Sequence, residues 1–140
     1  MNIKNQVEAT KRVQSLLYLH GVKTTVQKVK RKTEDLYHFE LIENEGYHAH
    51  HIKFSKEPFR SLAKFFPKHT GEGDSINEEY VNGLISSDWI YFAQPTIIYR
   101  VKAFDVKEEA LTRLTSQDEI TYSFPFNKMK VFWKDESTSQ

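Results

Sequence analysis

Five consecutive apolar residues, Trp89 to Ala93, place the strongest constraint on the fold of this chain. An uninterrupted apolar run of this length predicts a β-strand that is buried on both faces. Such a strand needs a packed layer above its sheet and another below it. The run therefore predicts the centre of a β-sheet that helices cover.

Length and composition fit one globular domain. The chain has 140 residues, of which 39% are hydrophobic, so we expect a single domain over residues 1–134 and a disordered polar tail at 135–140. It has no cysteine, which excludes disulfides and thiolate metal sites. No apolar run is long enough to cross a bilayer, and the amino terminus lacks a signal-peptide hydrophobic region. We therefore expect a cytoplasmic protein with no membrane partner.

Periodicity and turn residues predict the other elements. The first half contains a helix from Asn5 to His20, a strand from Val22 to Lys30, a hairpin from Asp35 to Ser55 and a helix from Ser55 to Phe66. A mobile loop from Pro67 to Ser75 and a short helix opened by a Ser75/Glu78 capping box lead to the buried strand. After the buried strand we expect a strand from Ile97 to Val101, a helix from Asp105 to Leu114, and strands from Ile120 to Phe124 and Lys130 to Trp133. The fold class is α+β, with helices on a mixed sheet that contains an antiparallel three-stranded meander.

The turn of the hairpin decides which side chains meet. A three-residue loop of Asn44, Glu45 and Gly46 suits a type I turn whose last residue has a left-handed conformation. That odd loop places Phe39 opposite His51. A loop with an even number of residues would slip the register by one and move every pairing to the other face.

The odd register groups the polar residues of the hairpin into two sets. Asp35, His51 and Lys53 would share one face of the sheet. The other face would carry His48 and His50 opposite Glu40, a set that could hold a transition metal or simply pair as partly exposed side chains.

The order of helix, antiparallel meander, helix and buried strand resembles the PD-(D/E)XK nuclease superfamily. That superfamily includes restriction endonucleases and archaeal Holliday-junction resolvases. The resemblance runs from Asn5 to Val101 and also rests on Asp35 at the head of the second strand and on His51-Ile52-Lys53 in the third. It implies a restriction endonuclease-like core, and because these nucleases often dimerise, it also implies a homodimer.

The resemblance implies a metal-dependent endonuclease that hydrolyses DNA. Its members hold Mg²⁺ with carboxylates on the second and third strands, and a lysine positions the attacking water. Asp35 and Lys53 match this motif, and Glu8 corresponds to a glutamate that some members add from the first helix. His51 occupies an acidic position, so the metal ligands would be Asp35 and His51, which suits Mn²⁺ or Zn²⁺ better than Mg²⁺. The alternative is a catalytically inactive nuclease-like fold that binds nucleic acid or a protein partner.

Charge is distributed unevenly along the chain. Residues 1–70 contain 13 Lys and Arg against 7 Asp and Glu, whereas residues 71–140 contain 7 against 12. The densest basic stretch could contact nucleic-acid phosphates, or it could be a solvated edge strand that its lysines protect from aggregation. Its members are Lys23, Lys28, Lys30, Arg31 and Lys32. No Gly-rich phosphate loop, nucleophile elbow or dinucleotide fingerprint is present, which argues against kinases, NTPases, α/β hydrolases and Rossmann enzymes.

Overall fold

The computed structural model describes residues 2–30, 37–46, 48–56, 72–114 and 118–136. The described helices are α1 (Gln6–Leu19), α2 (Glu78–Asn82) and α3 (Ala103–Glu109). The described strands are β1 (Thr24–Lys30), β2 (Tyr37–Glu43), β3 (Ala49–Phe54), β4 (Gly73–Asn77), β5 (Trp89–Ala93), β6 (Ile97–Lys102), β7 (Leu111–Leu114), β8 (Ile120–Pro125) and β9 (Lys130–Lys134). Within these ranges, none of the helices has the length and apolarity to cross a bilayer.

The main sheet has six strands in the order β1-β2-β3-β5-β6-β9. Strands β1, β2 and β3 form an antiparallel meander, and β5 then pairs in parallel with β3. Strands β6 and β9 continue the sheet in antiparallel pairs. The predicted α+β class, mixed sheet, meander and central Trp89–Ala93 strand are therefore confirmed.

A second, smaller sheet packs against one face of the main sheet. It contains three antiparallel strands in the order β4-β8-β7. Together with α2 and α3 it covers one face of the main sheet, where Ile90, Phe92 and Val101 share a core with Val81 and Phe124. We call this side of the main sheet the second-sheet face.

Helix α1 covers the opposite side, which we call the helix face. Its apolar stripe of Ala9, Val13 and Leu17 packs on Leu41 and Tyr91. The helix lies mainly over β1, β2 and β3. Asn5 caps it, because the Asn5 side chain accepts a hydrogen bond from the N–H of Glu8 at 2.9 Å. The prediction that the first helix packs on the sheet is confirmed.

The predicted elements between the two sheets need correction. The loop predicted at Pro67 to Ser75 ends in strand β4, because Gly73–Asn77 finds hydrogen-bonding partners on β8. Helix α2 is capped by Asn77 rather than Ser75, since Asn77 Oδ1 accepts from the N–H of Tyr80 at 3.0 Å. The predicted helix from Ser55 to Phe66 lies outside the described residues, apart from its first two positions.

The predicted helix from Asp105 to Leu114 divides into two elements. Helix α3 ends at Glu109, and Leu111–Leu114 then pairs with β8. The carboxyl end of the domain also extends further than expected. Asp135, which the sequence assigns to the tail, is buried, and its N–H donates to the carbonyl of Thr96 at 2.8 Å.

We expect the buried strand β5 to dominate stability. Phe92 is fully buried, so Phe92→Ala should lower the free energy of unfolding by about 3–5 kcal/mol in a chemical denaturation experiment. Phe104 on α3 is 52% exposed and provides a matched control. Phe104→Ala should cost about 0.5 kcal/mol or less. Equal losses in the two variants would contradict the central position of β5.

Candidate functional site

The hairpin between β2 and β3 has the even loop. Phe39 pairs with Ile52 and Glu40 pairs with His51, and the N–H of Glu43 donates to the carbonyl of His48 at 3.2 Å. Four residues therefore separate Glu43 from His48, and the predicted odd register is wrong. Gly46 does have a positive φ, +142°, as the turn residues predicted.

The observed register changes the neighbours of the motif residues. His51 and Lys53 still share a face, because they are two residues apart on β3, and this is the second-sheet face. Glu40 is now opposite His51. The predicted grouping of Asp35 with this pair depended on the odd register, and Asp35 itself lies outside the described residues.

His51 is held between side chains of three other elements. Its Nε2 lies 3.1 Å from Asp88 Oδ2, and its Nδ1 lies 2.8 Å from the hydroxyl of Tyr80. Glu40 Oε2 is 3.5 Å from the same Nδ1. His51 and Asp88 are both buried. The imidazole therefore joins β3 to α2 and to the segment that enters β5.

Asp88 has a second partner that explains its position. Its Oδ1 accepts a hydrogen bond from the N–H of Ala49 at 3.0 Å, and its Oδ2 faces His51. A buried carboxylate is costly unless its oxygens are hydrogen-bonded, and here both are. Sequence reasoning missed this residue, although an acidic residue directly before a buried apolar strand was the available signal.

Lys53 is the centre of a second polar group on the same face. Its Nζ donates to Asp74 Oδ1 at 2.9 Å and also to the carbonyl of Ser75. The other oxygen of Asp74 accepts from the hydroxyl of Ser55 at 2.9 Å. Asp74 is buried, whereas the Lys53 side chain is 27% exposed. This group fastens β3 to the first residues of β4, which the sequence had assigned to a loop.

His50 faces the other way, into a polar chain on the helix face. Its Nε2 lies 2.7 Å from Glu43 Oε2, and its Nδ1 lies 2.9 Å from the hydroxyl of Tyr91. Burial lowers the pKa of His50 from its ordinary 6.5, and the hydrogen bond to Glu43 opposes this only in part. Burial likewise raises the pKa of Tyr91 to about 12. A protonated Tyr91 therefore donates to neutral His50, which donates to Glu43.

The alternative metal set of His48, His50 and Glu40 is wrong. The even register pairs His50 with Leu41, so that Glu40 projects from the opposite face of the sheet. His48 is exposed, and its Nδ1 lies 3.2 Å from the hydroxyl of Ser87.

Glu8 is also separated from the motif residues. It is exposed on α1, on the helix face, whereas His51 and Lys53 project from the second-sheet face. Its Oε2 accepts a hydrogen bond from the N–H of Lys4 at 2.6 Å. Glu8 therefore acts at the amino end of α1, where a negative charge is favourable.

The basic stretch occupies the edge of the main sheet. Strand β1 is an outermost strand, and Lys28 and Lys30 lie on it. Lys23 is exposed, and it borders an open groove of about 580 Å³ between α1 and β1. Arg31 and Lys32 lie outside the described residues. The position of β1 fits both predicted roles of this stretch, phosphate contact and edge protection.

The resemblance implies a divalent metal, and the hydrogen bonds of His51 and Asp74 show whether these side chains are free to bind one. Both ring nitrogens of His51 have protein partners, and so do both carboxylate oxygens of Asp74. Within the described ranges, no group of three or more His, Asp and Glu side chains could hold a metal ion. The described residues thus do not fit a metal site, and His51 does not fit the role of a ligand.

The comparisons with known proteins give no match from which a function could be inferred. No family model, no curated protein and no solved structure matches the chain. The function of the chain is therefore inferred from its contacts, burial and charge.

We expect Asp88 to be a major determinant of stability. Asp88→Ala removes the acceptor of two buried groups, so it should lower the free energy of unfolding by about 2–5 kcal/mol. Asp88→Asn keeps one carbonyl oxygen at nearly the same volume and should cost clearly less. Urea denaturation at neutral pH measures both variants. A loss below about 1 kcal/mol for Asp88→Ala would contradict this role.

We expect His50 to make stability depend on pH. Because its pKa is lowered in the folded state, the unfolded chain takes up a proton first as the pH falls through 6.5. Unfolding is then favoured from pH 6.5 down to the lowered pKa of the folded protein. The loss of unfolding free energy between about pH 7 and about pH 5.5 should therefore be smaller in His50→Gln than in wild type. His20→Gln, at an exposed histidine, controls for the loss of a histidine as such.

Proposed function

We propose that this chain is a nucleic-acid-binding module built on a nuclease-like core, in which Lys53 and His51 hold the structure together. The observation that carries the proposal is the engagement of Lys53, whose ammonium group donates to the Asp74 carboxylate and to the Ser75 carbonyl. A lysine that positions an attacking water needs its donors for the water and the phosphate. Here two of its three N–H groups hold the fold.

The topology supports the nuclease-like part of this proposal. Helix α1 is followed by the antiparallel meander of β1, β2 and β3, and β5 then lies parallel to β3. The resemblance implies the order of a helix, a meander, a second helix and a buried strand, and the second helix, predicted from Ser55 to Phe66, lies outside the described residues apart from its first two positions. The core thus supports nuclease-like architecture, whereas the contacts of its motif residues favour binding over hydrolysis.

The charge distribution supports nucleic acid as the partner. The first 70 residues carry a clear excess of Lys and Arg, and part of this excess lies on β1, which is an outermost strand among the described strands of the main sheet. Lysines on an outer strand can neutralise nucleic-acid phosphates. Binding of this kind requires neither a metal ion nor a nucleophile.

One observation favours hydrolysis as the second candidate function. The carboxylate of Asp74 lies 2.9 Å from Lys53, so an acidic side chain does stand beside the lysine even though the motif position is His51. Together with Asp35, which remains a predicted ligand, Asp74 would supply the oxygens that Mg²⁺ prefers. This candidate requires Asp74 to give up its contacts with Lys53 and Ser55.

Variants at Lys53 and His51 separate the two functions. If Lys53 is structural, Lys53→Ala leaves the buried carboxylate of Asp74 without its cationic partner and should lower the free energy of unfolding by about 1–3 kcal/mol. It should leave oligonucleotide affinity in EDTA unchanged at a temperature where the variant is folded. His51→Glu places a third carboxylate beside Asp88 and Glu40, and it should destabilise the protein without producing cleavage.

The hydrolysis candidate predicts the opposite results. Wild type would cleave a DNA substrate with Mn²⁺, Lys53→Ala would remain stable but inactive, and His51→Glu would increase cleavage with Mg²⁺. Fluorescence anisotropy in EDTA, gel assays with each metal and urea denaturation give the three readouts. Failure of wild type to bind any oligonucleotide at low salt would overturn the proposed function.

A further inference from the structure

Three of the cations of the second half of the chain, Arg100, Lys102 and Lys130, lie together on the main sheet. Residues 71–140 are acidic overall, with 7 Lys and Arg against 12 Asp and Glu. Arg100 and Lys102 nevertheless alternate with Ile98 on β6, so they project from the helix face. Lys130 on β9 pairs with Arg100 and adds a third cation to the same face.

Aromatic rings lie between these cations. The Arg100 guanidinium is 4.3 Å from the ring centroid of Trp89 and 5.1 Å from that of Phe132. Lys102 Nζ is 4.7 Å from the same Trp89 centroid. We call this surface the cation–aromatic face, and its members are Trp89, Arg100, Lys102, Lys130, Phe132 and Trp133.

A β-bulge increases the aromatic area of the surface. The pairing of β6 with β9 shifts register between Ile98 and Tyr99, which leaves Phe132 as an extra residue beside Trp133. Trp133 pairs with Ile98 on the helix face, and Phe132 reaches the ring of Tyr91 at 5.0 Å on that face too. Two consecutive aromatic residues therefore project to one side, which a regular strand does not allow.

Neighbouring side chains hold the central cation in place. The Arg100 guanidinium lies over the rings of Trp89 and Phe132 and near the hydroxyl of Tyr91, a fully buried residue that is bonded to His50. The guanidinium is thus fixed before any ligand arrives, which reduces the entropy lost on binding. In the part of the chain that the structure describes, no carboxylate forms an ion pair with Arg100, Lys102 or Lys130.

The surface also remains accessible beside α1. The helix lies mainly over β1, β2 and β3, whereas the cation–aromatic face belongs to β5, β6 and β9. Trp89, Phe132 and Trp133 are half-buried, and Lys130 is exposed. From α1, the guanidinium of Arg12 lies 4.4 Å from the Trp133 centroid and adds positive charge at the border.

We propose that the cation–aromatic face binds single-stranded nucleic acid. Arg100, Lys102 and Lys130 contact phosphates, and the aromatic rings beside them contact bases. Cations with interleaved aromatic rings suit a single strand because its bases are free to stack, whereas a duplex keeps its bases paired inside. This inference rests on the proposed function, since it specifies the surface and the form of nucleic acid that the module binds.

The intrinsic fluorescence of tryptophan can report binding to this surface. Its two tryptophans, Trp89 and Trp133, both lie on the proposed surface. Titration of a 12-nucleotide single strand in EDTA should therefore quench tryptophan fluorescence. A duplex of the same length should bind less tightly and quench less. Binding to the duplex with equal affinity, or binding of the single strand without quenching, would overturn the proposal.

Charge variants test the residues. Each phosphate contact on a single strand contributes about 0.7 to the slope of log affinity against log salt, so Lys102→Gln/Lys130→Gln should reduce that slope by about 1.4. Arg100→Gln should weaken binding about 10-fold at low salt. Lys134→Gln is the matched control, because it removes an equal charge from β9 at a position paired with Ile97, on the opposite face. Equal losses in Lys134→Gln would show only general charge attraction and would overturn the proposal.

A variant of β1 separates failure of this inference from failure of the proposed function. If Lys23→Gln/Lys28→Gln abolishes binding while the variants of the cation–aromatic face bind normally, the module binds nucleic acid through β1 and the surface proposed here is wrong. If wild type itself fails to bind, the proposed function fails. Thermal melts of every variant confirm that the folded protein is compared.

Discussion

The parallel pairing of β3 with β5 is the contact on which the rest of the structure depends. It places β5 inside the sheet, and four of its five side chains are fully buried, which anchors both cores. It also brings Asp88, just before β5, within reach of Ala49 and His51 on β3. Hydrophobic burial and one hydrogen-bonded carboxylate thus fix the position of β3 between β2 and β5.

Once β3 is fixed, its alternation sorts the polar residues into separate environments. His51 and Lys53 face the second sheet, where Asp88 and Asp74 hold them. His50 faces the helix side, where Glu43 and Tyr91 bond its two ring nitrogens. Two adjacent histidines therefore serve different networks. Their neighbours in sequence say little about their neighbours in space, because the strand turns successive side chains in opposite directions.

Much of the fold could be predicted because its signals are local. The apolar run of β5, the helical stripe of α1 and the glycine of the hairpin each depend on nearby residues. The register of β2 and β3 was missed because it depends on one residue of loop length, which Gly46 alone does not decide. Asp74 and Asp88 were missed as partners because Asp74 is 21 residues from Lys53 and Asp88 is 37 residues from His51 along the chain. The pattern of apolar and polar residues along β9 does not predict the bulge that turns Phe132 and Trp133 to one face.

His51 and Lys53 lie on the face of the main sheet that is opposite the cation–aromatic face. On the second-sheet face, charge is neutralised internally by ion pairs such as that of Lys53 with Asp74. On the helix face, Arg100 and Lys102 rest on aromatic rings, which leaves their charge available to an anion. Paired charge contributes to the fold, and charge that lacks a carboxylate partner attracts ligands. This contrast is the physical basis for assigning binding to one face and a structural role to the other.

The most direct test is a map of the nucleic-acid contacts by NMR. Amide and indole resonances of isotope-labelled protein would be followed as a single-stranded oligonucleotide is added, first in EDTA and then with excess Mg²⁺. We predict perturbations at Trp89, Arg100 and Lys102 under both conditions, with Lys53 and Asp74 unchanged. Perturbations centred on Lys53 and Asp74, present only with Mg²⁺, would contradict the account and support hydrolysis.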